Sequence, residues 1–313
     1  MNRCWKIGTD CSGIDSPIQA LQQLKIPFEH KWSCEIDPFA QKTILANYSP
    51  ELLLSDMKNR DHSLLPDCDI YVAGFPCQSF SNIGKKLGRK DKRSSIMFEC
   101  VKTIEEKLPK IFILENVKNL ISIQKGKIFD LLMNLLEEIS DKDGDSIYNL
   151  YAGIYDTKDY GIPQHRERLY VIGIRKDVET KPFVPPKPIK MKCLDSFLEN
   201  EKGKDIPCDT VSSYIKMIQQ KYGKNAPRRN FVIATAGFGN FMEDICPTLT
   251  CHTYFYLTKY KRYLSAQEMM RLQGFPKSFK QVVSDVHWRK QAGNTMSVNV
   301  LKALFREIFE CIE

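Results

Sequence analysis

Residues 5–174 alternate short apolar runs with segments of helical spacing, and this alternation limits the possible folds more than any other feature of the chain. "KIGTDCSG" reads as a strand entering a glycine turn, and "PIQALQQLK" as a helix with Pro17 suited to its first turn. "FEHKWSCEID" and "PFAQKTILANY" repeat the pair, and a third strand edge falls at "LLLSDM". "IYVAGF", "SSIMFECVKTIEEK", "KIFILENV" and "GKIFDLLMNLLEEIS" continue it, and "YNLYAGIYD" and "ERLYVIGIR" close it with two more strands. Strand–helix alternation over this length predicts an α/β fold: a Rossmann-like, doubly wound, mostly parallel sheet.

The pattern stops after Arg175. "KDVETKPFVPPKPIK" is proline-rich, and residues 176–260 are basic and punctuated by Gly, Pro and Asn. Helical spacing returns at "SAQEMMRLQGFP" and in the amphipathic "MSVNVLKALFREIFECI". The expected division is therefore 1–176 with 284–313 as the α/β domain, and 177–283 as a second, smaller, irregular domain.

Composition sets the class. With 42% hydrophobic and 11% aromatic residues, the chain is expected to be globular. No run of about 18 apolar residues predicts a membrane span. "MNRCWKIGTDCSG" lacks the apolar core of a signal peptide, so a cytoplasmic, intracellular protein is expected, with its eleven cysteines as free thiols. "CPTLTCH" groups Cys246, Cys251 and His252, but no C-x-x-C pair completes a zinc site, and no metal is expected. The formal charge of +8 allows a polyanionic partner without establishing one. Residues 78–93 hold six Lys/Arg against one Asp, and residues 176–261 hold fourteen against nine acids.

The basic run begins directly after "GFPCQ". Pro76 ends the preceding strand because it has no N–H to give, so Cys77 emerges at a carboxyl strand end. In an open α/β sheet that edge binds ligands. A free cysteine at such a place is either a small buried hydrophobe or a nucleophile.

Other residues fall at comparable points. Gly13 follows the first strand, where a glycine lets a backbone approach a ligand. Glu35 ends the second strand, 22 residues on, at the spacing where an acid can accept ribose hydroxyls. There is no G-x-G-x-x-G, so a dinucleotide is not favoured. Asp56 is a turn residue or a cofactor contact. Glu115 and Asn116 end "FILENV", where a carboxyl whose neutral form is favoured by burial can serve as a proton donor. Arg166 and Arg168, two apart at a strand start, are expected on one face, suited to carbonyl or phosphate. Gly293, Asn294 and Thr295 precede the last helix, where small polar groups can close a pocket.

In order, "SGI", "EID", "GFPCQSFS", "ENV", "QHRERLYVIG", "RYLSAQEMMRLQGFP" and "QAGNTMSVNV" resemble the successive blocks of the cytosine-5 DNA methyltransferase family. The resemblance runs from about residue 5 to 302, apart from about 176–245. It implies a class I methyltransferase fold, S-adenosylmethionine as cofactor and double-stranded DNA as substrate. The stretch 176–245 corresponds in position to the target-recognition region. Cys77 would attack cytosine C6 as a thiolate, with Glu115 on N3 and Arg168, supported by Arg166, on the ring carbonyl or a phosphate. The base that removes the C5 proton is not identified; water is possible. Ser12, Gly13, Ile14, Glu35, Ile36, Asp56, Pro76, Asn294 and Thr295 would bind the cofactor.

The target base has to leave the duplex stack, because C5 and C6 are otherwise unreachable. Gln78, Ser81, Lys85, Lys86, Arg89 and Arg93 would close over it, with Gly84 and Gly88 as hinges, and Arg228 and Arg229 would join the DNA contacts. The resemblance further implies a monomer, with a cognate restriction endonuclease reading the same site. Two departures stand out. Cys11 replaces the aromatic of the first block, with Asp15 and Ser16 where glycine is common. Ile36 stands where some members stack an aromatic on adenine. The alternatives are a tRNA cytosine-5 methyltransferase, of which "TLTCHTYFY" is a loose echo, and an inactive sequence-specific DNA-binding protein.

Overall fold

The structure, a computed structural model, describes residues 3–58, 60–76, 96–236 and 241–312. The chain separates into two compact units. One comprises Met1–Tyr155, Glu167–Pro186 and Leu301–Glu313; the other comprises Asp156–Arg166 and Lys187–Val300.

The first unit is built on a seven-stranded sheet. Its strands are β1 (Trp5–Asp10), β2 (Phe28–Cys34), β3 (Leu52–Leu54), β4 (Ile70–Ala73), β5 (Ile111–Val117), β6 (Tyr148–Asp156) and β7 (Glu167–Arg175), in the order β3-β2-β1-β4-β5-β7-β6. β1 to β5 pair in parallel, and β7 runs antiparallel to β5. Helices α1 (Ser16–Leu24), α2 (Pro38–Asn47), α3 (Ile96–Lys107) and α4 (Lys127–Glu137) link or flank the strands. This is the mostly parallel sheet that the alternation predicts.

Burial explains the strand sequences. All four residues of β4 and six of the seven of β5 are buried, as parallel strands covered on both faces must be. α4 lays Ile128, Leu132 and Leu136 in one buried stripe at helical spacing. Two strand glycines are there for close approach. A Cβ on Gly8 would lie 2.2 Å from the Trp32 ring, and one on Gly173 would lie 2.1 Å from the Phe112 ring. α1 carries Pro17 in its first turn, where no intrahelical N–H is needed.

In the second unit, the stretch expected to be irregular contains regular structure. β8 (Phe231–Ala234), β9 (Phe241–Glu243), β10 (Phe255–Leu257) and β11 (Arg262–Tyr263) form an antiparallel sheet in the order β11-β10-β8-β9. The 14-residue helix α5 (Asp209–Tyr222) packs Val211 and Ile218 onto Phe231, Ile233 and Tyr256. Strands of two to four residues are too short to display a period of two, which is why the sequence reads as loop.

Three further helices follow: α6 (Ala266–Leu272), α7 (Asp285–Asn294) and α8 (Val298–Glu310). α6 starts with a capping box between Ser265 and Glu268. Buried Glu268 also takes two bonds from Arg262, at 2.8 and 2.7 Å. Among the described residues, no helix is long and apolar enough to cross a membrane.

Candidate active site

The sheet of the first unit reverses its winding between β1 and β4, and ligands of doubly wound sheets bind beyond the carboxyl ends at that point. The loop after β1 is pinned to the end of β2 through Ser12. Its N–H reaches the Cys34 carbonyl at 3.1 Å, and the Cys34 N–H donates to its hydroxyl at 3.0 Å. Gly13 follows at φ +57, a conformation that favours glycine, and no atom lies within 4 Å of where its Cβ would stand. The Gly13 N–H donates to Glu35 Oε2 at 2.7 Å, and Asp37 N–H to Oε1 at 2.9 Å. Burial raises the pKa of Glu35, and these two N–H groups offset part of the shift.

The neighbours of Glu35 differ in what they offer. Ile36 presents an apolar side chain that is 71% exposed, beside the carboxylate. Ile14 is fully buried, so only its backbone can meet a ligand. Asp56 is exposed and its carboxylate accepts the Lys58 N–H at 3.0 Å, closing a turn. Pro76 is exposed at the end of the loop after β4.

Two buried polar groups underlie this edge. Asp10, the last residue of β1, accepts both terminal nitrogens of Arg60 (2.9 and 2.7 Å), the Tyr71 hydroxyl (2.8 Å) and the Trp32 indole N–H (3.3 Å). Thr103 also reaches Asp10, at 3.3 Å, and lies 2.9 Å from His62, whose other ring nitrogen meets Glu99 at 2.9 Å. One carboxylate thereby ties β1 to β2, β4 and α3. Asp15 is the second group: its buried carboxyl takes the hydroxyls of Thr9 and Ser33, both at 2.7 Å. Burial pushes it up to about 7, against the lowering effect of those hydroxyls. His30, 2.8 Å from the same Ser33 hydroxyl, is pushed down to about 4 by burial.

β5 supplies the next group. Glu115 is 9% exposed, and its Oε1 lies 3.3 Å from Arg168 Nε on the antiparallel neighbour β7. Arg168 also donates to the Glu167 carbonyl at 2.8 Å. The Asn116 side-chain amide donates to the Phe75 carbonyl at 2.8 Å, fixing the loop two residues before Cys77. Cys77, Gln78, Ser81, Lys85, Lys86, Arg89 and Arg93 lie outside the described residues, as do Gly84 and Gly88.

Arg166 immediately precedes β7 and falls in the second unit, whereas Arg168 lies on β7 in the first. The buried Arg166 guanidinium donates to the carbonyls of Leu249 (2.8 Å), Gly293 (3.2 Å) and Thr295 (2.9 Å). In the same unit Thr295 is buried and Asn294 exposed, with its side-chain oxygen facing the Cys251 thiol. Arg229 is paired with Glu243 and sits 5.3 Å from the Phe231 ring; Arg228 is exposed in the turn Ala226–Arg228. Among the described residues, no group of three or more His, Cys, Asp or Glu could hold a metal ion.

Residues 10–231 and 189–310 match the profile described as C-5 cytosine-specific DNA methylase. The chain belongs to the C-5 cytosine-specific DNA methylase family. The methylase is 35% identical over 301 residues to the Type II methyltransferase M1.ScrFI of Lactococcus lactis subsp. cremoris, covering 90% of this chain and 72% of that protein. It is 36% identical over 299 residues to the Type II methyltransferase M.SsoII of Shigella sonnei, covering 90% and 74%. Its fold resembles the crystal structure of S. pombe Dnmt2 methyltransferase at TM-score 0.67 and 20% identity, covering 98% of each chain. It resembles Entamoeba histolytica methyltransferase EhMeth at TM-score 0.68 and 17% identity, covering 99% of each.

Sequence reasoning about this methylase missed the residues that work through other residues. Asp10 and Arg60 are 50 positions apart and carry no local pattern. Gln273 lies within "RLQGFP", and nothing in that block by itself signals its role. In the structure it is fully buried and donates to the Ala292 carbonyl at 2.5 Å, while Gln164 donates to the Leu272 carbonyl at 2.7 Å. Two glutamines inside recurring blocks are the signal that could have found this network.

Proposed function

We propose that this methylase transfers a methyl group from S-adenosylmethionine to C5 of a cytosine in a short specific sequence of double-stranded DNA. The observation that carries the reading is the Glu115–Arg168 pair beside the Asn116–Phe75 bond. It puts a carboxyl and a guanidinium at the strand end next to the loop that leads into Cys77.

The loop after β1 fits the cofactor. The open space over Gly13 is a cradle that any side chain would fill, and the Glu35 carboxylate at its rim keeps lone pairs for ribose hydroxyls. Exposed Ile36 offers an apolar face to the adenine, and Asp56 is proposed as a further contact from the same unit. When bound, S-adenosylmethionine supplies an electrophilic methyl group on a sulfonium.

The chain's own residues prepare the base. Cys77 adds as a thiolate to C6, forming a covalent bond that makes C5 nucleophilic. Glu115 holds N3 and stabilises the charge that the ring gains, and Arg168 holds Glu115 in place while facing the ring carbonyl or a neighbouring phosphate. Loss of the C5 proton and departure of the thiolate restore the ring. The base has to be flipped out first, at a cost of about a few kcal/mol. Phosphate attraction comes from Lys85, Lys86, Arg89 and Arg93, with Gln78 and Ser81 at the base, and should weaken as salt rises. Relatives named Type II methyltransferases support a restriction–modification setting, with an endonuclease reading the same site.

The test is conversion sequencing of duplex DNA treated with the protein and S-adenosylmethionine, beside Cys77→Ser. Protection of cytosines in one recurring short motif, lost in the variant, is expected. Transfer only to a tRNA pool would overturn the substrate, and transfer to neither would overturn the activity.

A further inference from the structure

Within the first unit, one side chain holds the connection between β3 and β4 to the end of β1. Arg60 lies in that connection, yet its side chain is only 8% exposed. It is directed inward to Asp10, the last residue of β1, and both terminal nitrogens bond the carboxylate, at 2.9 and 2.7 Å. One of them also donates to the Thr103 hydroxyl at 3.1 Å. A two-point contact between a planar guanidinium and a carboxylate fixes orientation as well as distance. Asp10 is itself anchored, because the Tyr71 hydroxyl and the Trp32 indole N–H bind it from β4 and β2.

Arg60 thereby holds the turn before it. The Arg60 N–H reaches the Met57 carbonyl at 3.4 Å, and the Asp56 carboxylate accepts the Lys58 N–H at 3.0 Å. Buried Met57 turns its sulfur to the Cys11 thiol, 3.9 Å away in the loop after β1. On the other side, the Glu35 N–H donates to the carbonyl of Leu54, the last residue of β3, at 2.9 Å. The chain on either side of Asp56 is therefore fastened, to the end of β1 and to the end of β2.

Three groups with different chemistry then follow one another along this sheet edge. Glu35 suits ribose hydroxyls, and exposed Ile36 suits the face of a ring. Asp56, two residues past β3, presents an exposed carboxylate with lone pairs beyond the one that closes its turn. A carboxylate accepts hydrogen bonds and donates none. The only N–H groups on the adenine of an adenosyl compound are those of its 6-amino group. Neither Cys11 nor Ile36 can stack on that base as an aromatic ring does, so the polar edge has more of the discrimination to supply.

We infer that Arg60 is a positioning residue for cofactor selectivity: bonded to Asp10, it holds Asp56 where the carboxylate accepts a hydrogen bond from the 6-amino group of the adenosyl cofactor. This rests on the proposed function, which puts the cofactor against Gly13, Glu35 and Ile36.

The test compares S-adenosylhomocysteine with its 6-deamino analogue, in which hydrogen replaces the amino group of the purine. Each competes with radiolabelled S-adenosylhomocysteine in equilibrium dialysis, and the ratio of the two dissociation constants is read. A protein that is merely destabilised weakens both ligands alike and leaves the ratio unchanged. The wild-type protein is expected to prefer the amino compound by about 10-fold, the worth of one hydrogen bond to a charged acceptor. Asp56→Ala is expected to bring the ratio to near unity. Arg60→Lys keeps a charge beside Asp10 but cannot make the two-point contact. Its ratio is expected to fall at least halfway to unity on a logarithmic scale, while the deamino analogue binds nearly as it does to the wild type. Thr103→Val has the same shape without the hydroxyl that Arg60 reaches. It is expected to lower the ratio by less, and it serves as the test where Arg60→Lys does not fold. A wild-type ratio of unity, or the full ratio kept by folded Arg60→Lys, overturns the inference; where that variant does not fold, the full ratio in Thr103→Val does so. Methyl transfer to duplex DNA separates the two ideas. Transfer with a ratio that Arg60 does not govern sinks the positioning role alone, and neither binding nor transfer sinks the reading beneath it.

Discussion

The side chain of Asn116 donates a hydrogen bond to the main-chain carbonyl of Phe75 at 2.8 Å, joining the end of β5 to the loop after β4. The amide is 4% exposed, and its oxygen accepts the Val117 N–H at 2.9 Å, so both ends of the group are used. Cys77 is two residues beyond the carbonyl that Asn116 holds. On the proposed mechanism, Asn116→Ala leaves the nucleophile in place but loosens its stem. A displacement near 1 Å costs roughly 10²-fold in rate. The expected result is a kcat lowered by about that factor with S-adenosylhomocysteine affinity unchanged, measured by single-turnover methyl transfer and by dialysis.

Glu115 is the group that takes charge from the base. Glu115→Gln keeps size and one hydrogen bond but can neither hold a proton for N3 nor pair with Arg168 as an anion. Loss of a positioned acid–base group typically costs about 10²–10⁴-fold. Methyl transfer is expected to fall within that range while Cys77 alkylation by iodoacetamide continues at the wild-type rate. Full activity in Glu115→Gln would remove Glu115 from the mechanism.

Much of the first unit is legible in the sequence because parallel strands covered on both faces read as unbroken apolar runs. β4 and β5 are visible for that reason, and Glu115 stands out as the first charge after such a run. The short strands β8 to β11 leave no periodic trace, so the second unit reads as loop. Residues whose role is to hold other residues leave none either. Arg60 is one arginine in a polar stretch until the fold brings Asp10 to it, and Arg166 reads as a partner of Arg168 until its three carbonyl bonds are seen.

Gly8 tests the packing beneath the site. Trp32 lies flat against β1, filling the place of a Gly8 side chain, and its indole N–H reaches Asp10. Gly8→Ala puts a methyl group where the ring is, and a buried indole bonded to Asp10 has nowhere to go. Overpacking of this kind costs about 1–3 kcal/mol. Urea unfolding is expected to show a lower midpoint with an unchanged slope.

Asp15 makes stability depend on pH. Its neighbours are the hydroxyls of Thr9 and Ser33, with His30 3.7 Å away, and Gln19 and Tyr48 bonded to each other close by. Burial raises the carboxyl from 3.8 to about 7, so the folded state holds its proton where the unfolded chain has lost it. The stabilising contribution is then full below about pH 4 and declines as pH rises towards 7. Its full span is on the order of 4 kcal/mol by linkage. His30 acts with the opposite sign. It is lowered from 6.5 to about 4, so its contribution is present above pH 6.5 and is lost as pH falls towards 4. Asp15→Asn mimics the protonated carboxyl at every pH and leaves His30 as it is. The variant is expected to exceed the wild type in unfolding free energy modestly at pH 5 and by a larger margin at pH 8, by chemical denaturation at both values. Equal gains or losses at the two pH values would mean that the buried carboxyl is already charged in the folded protein.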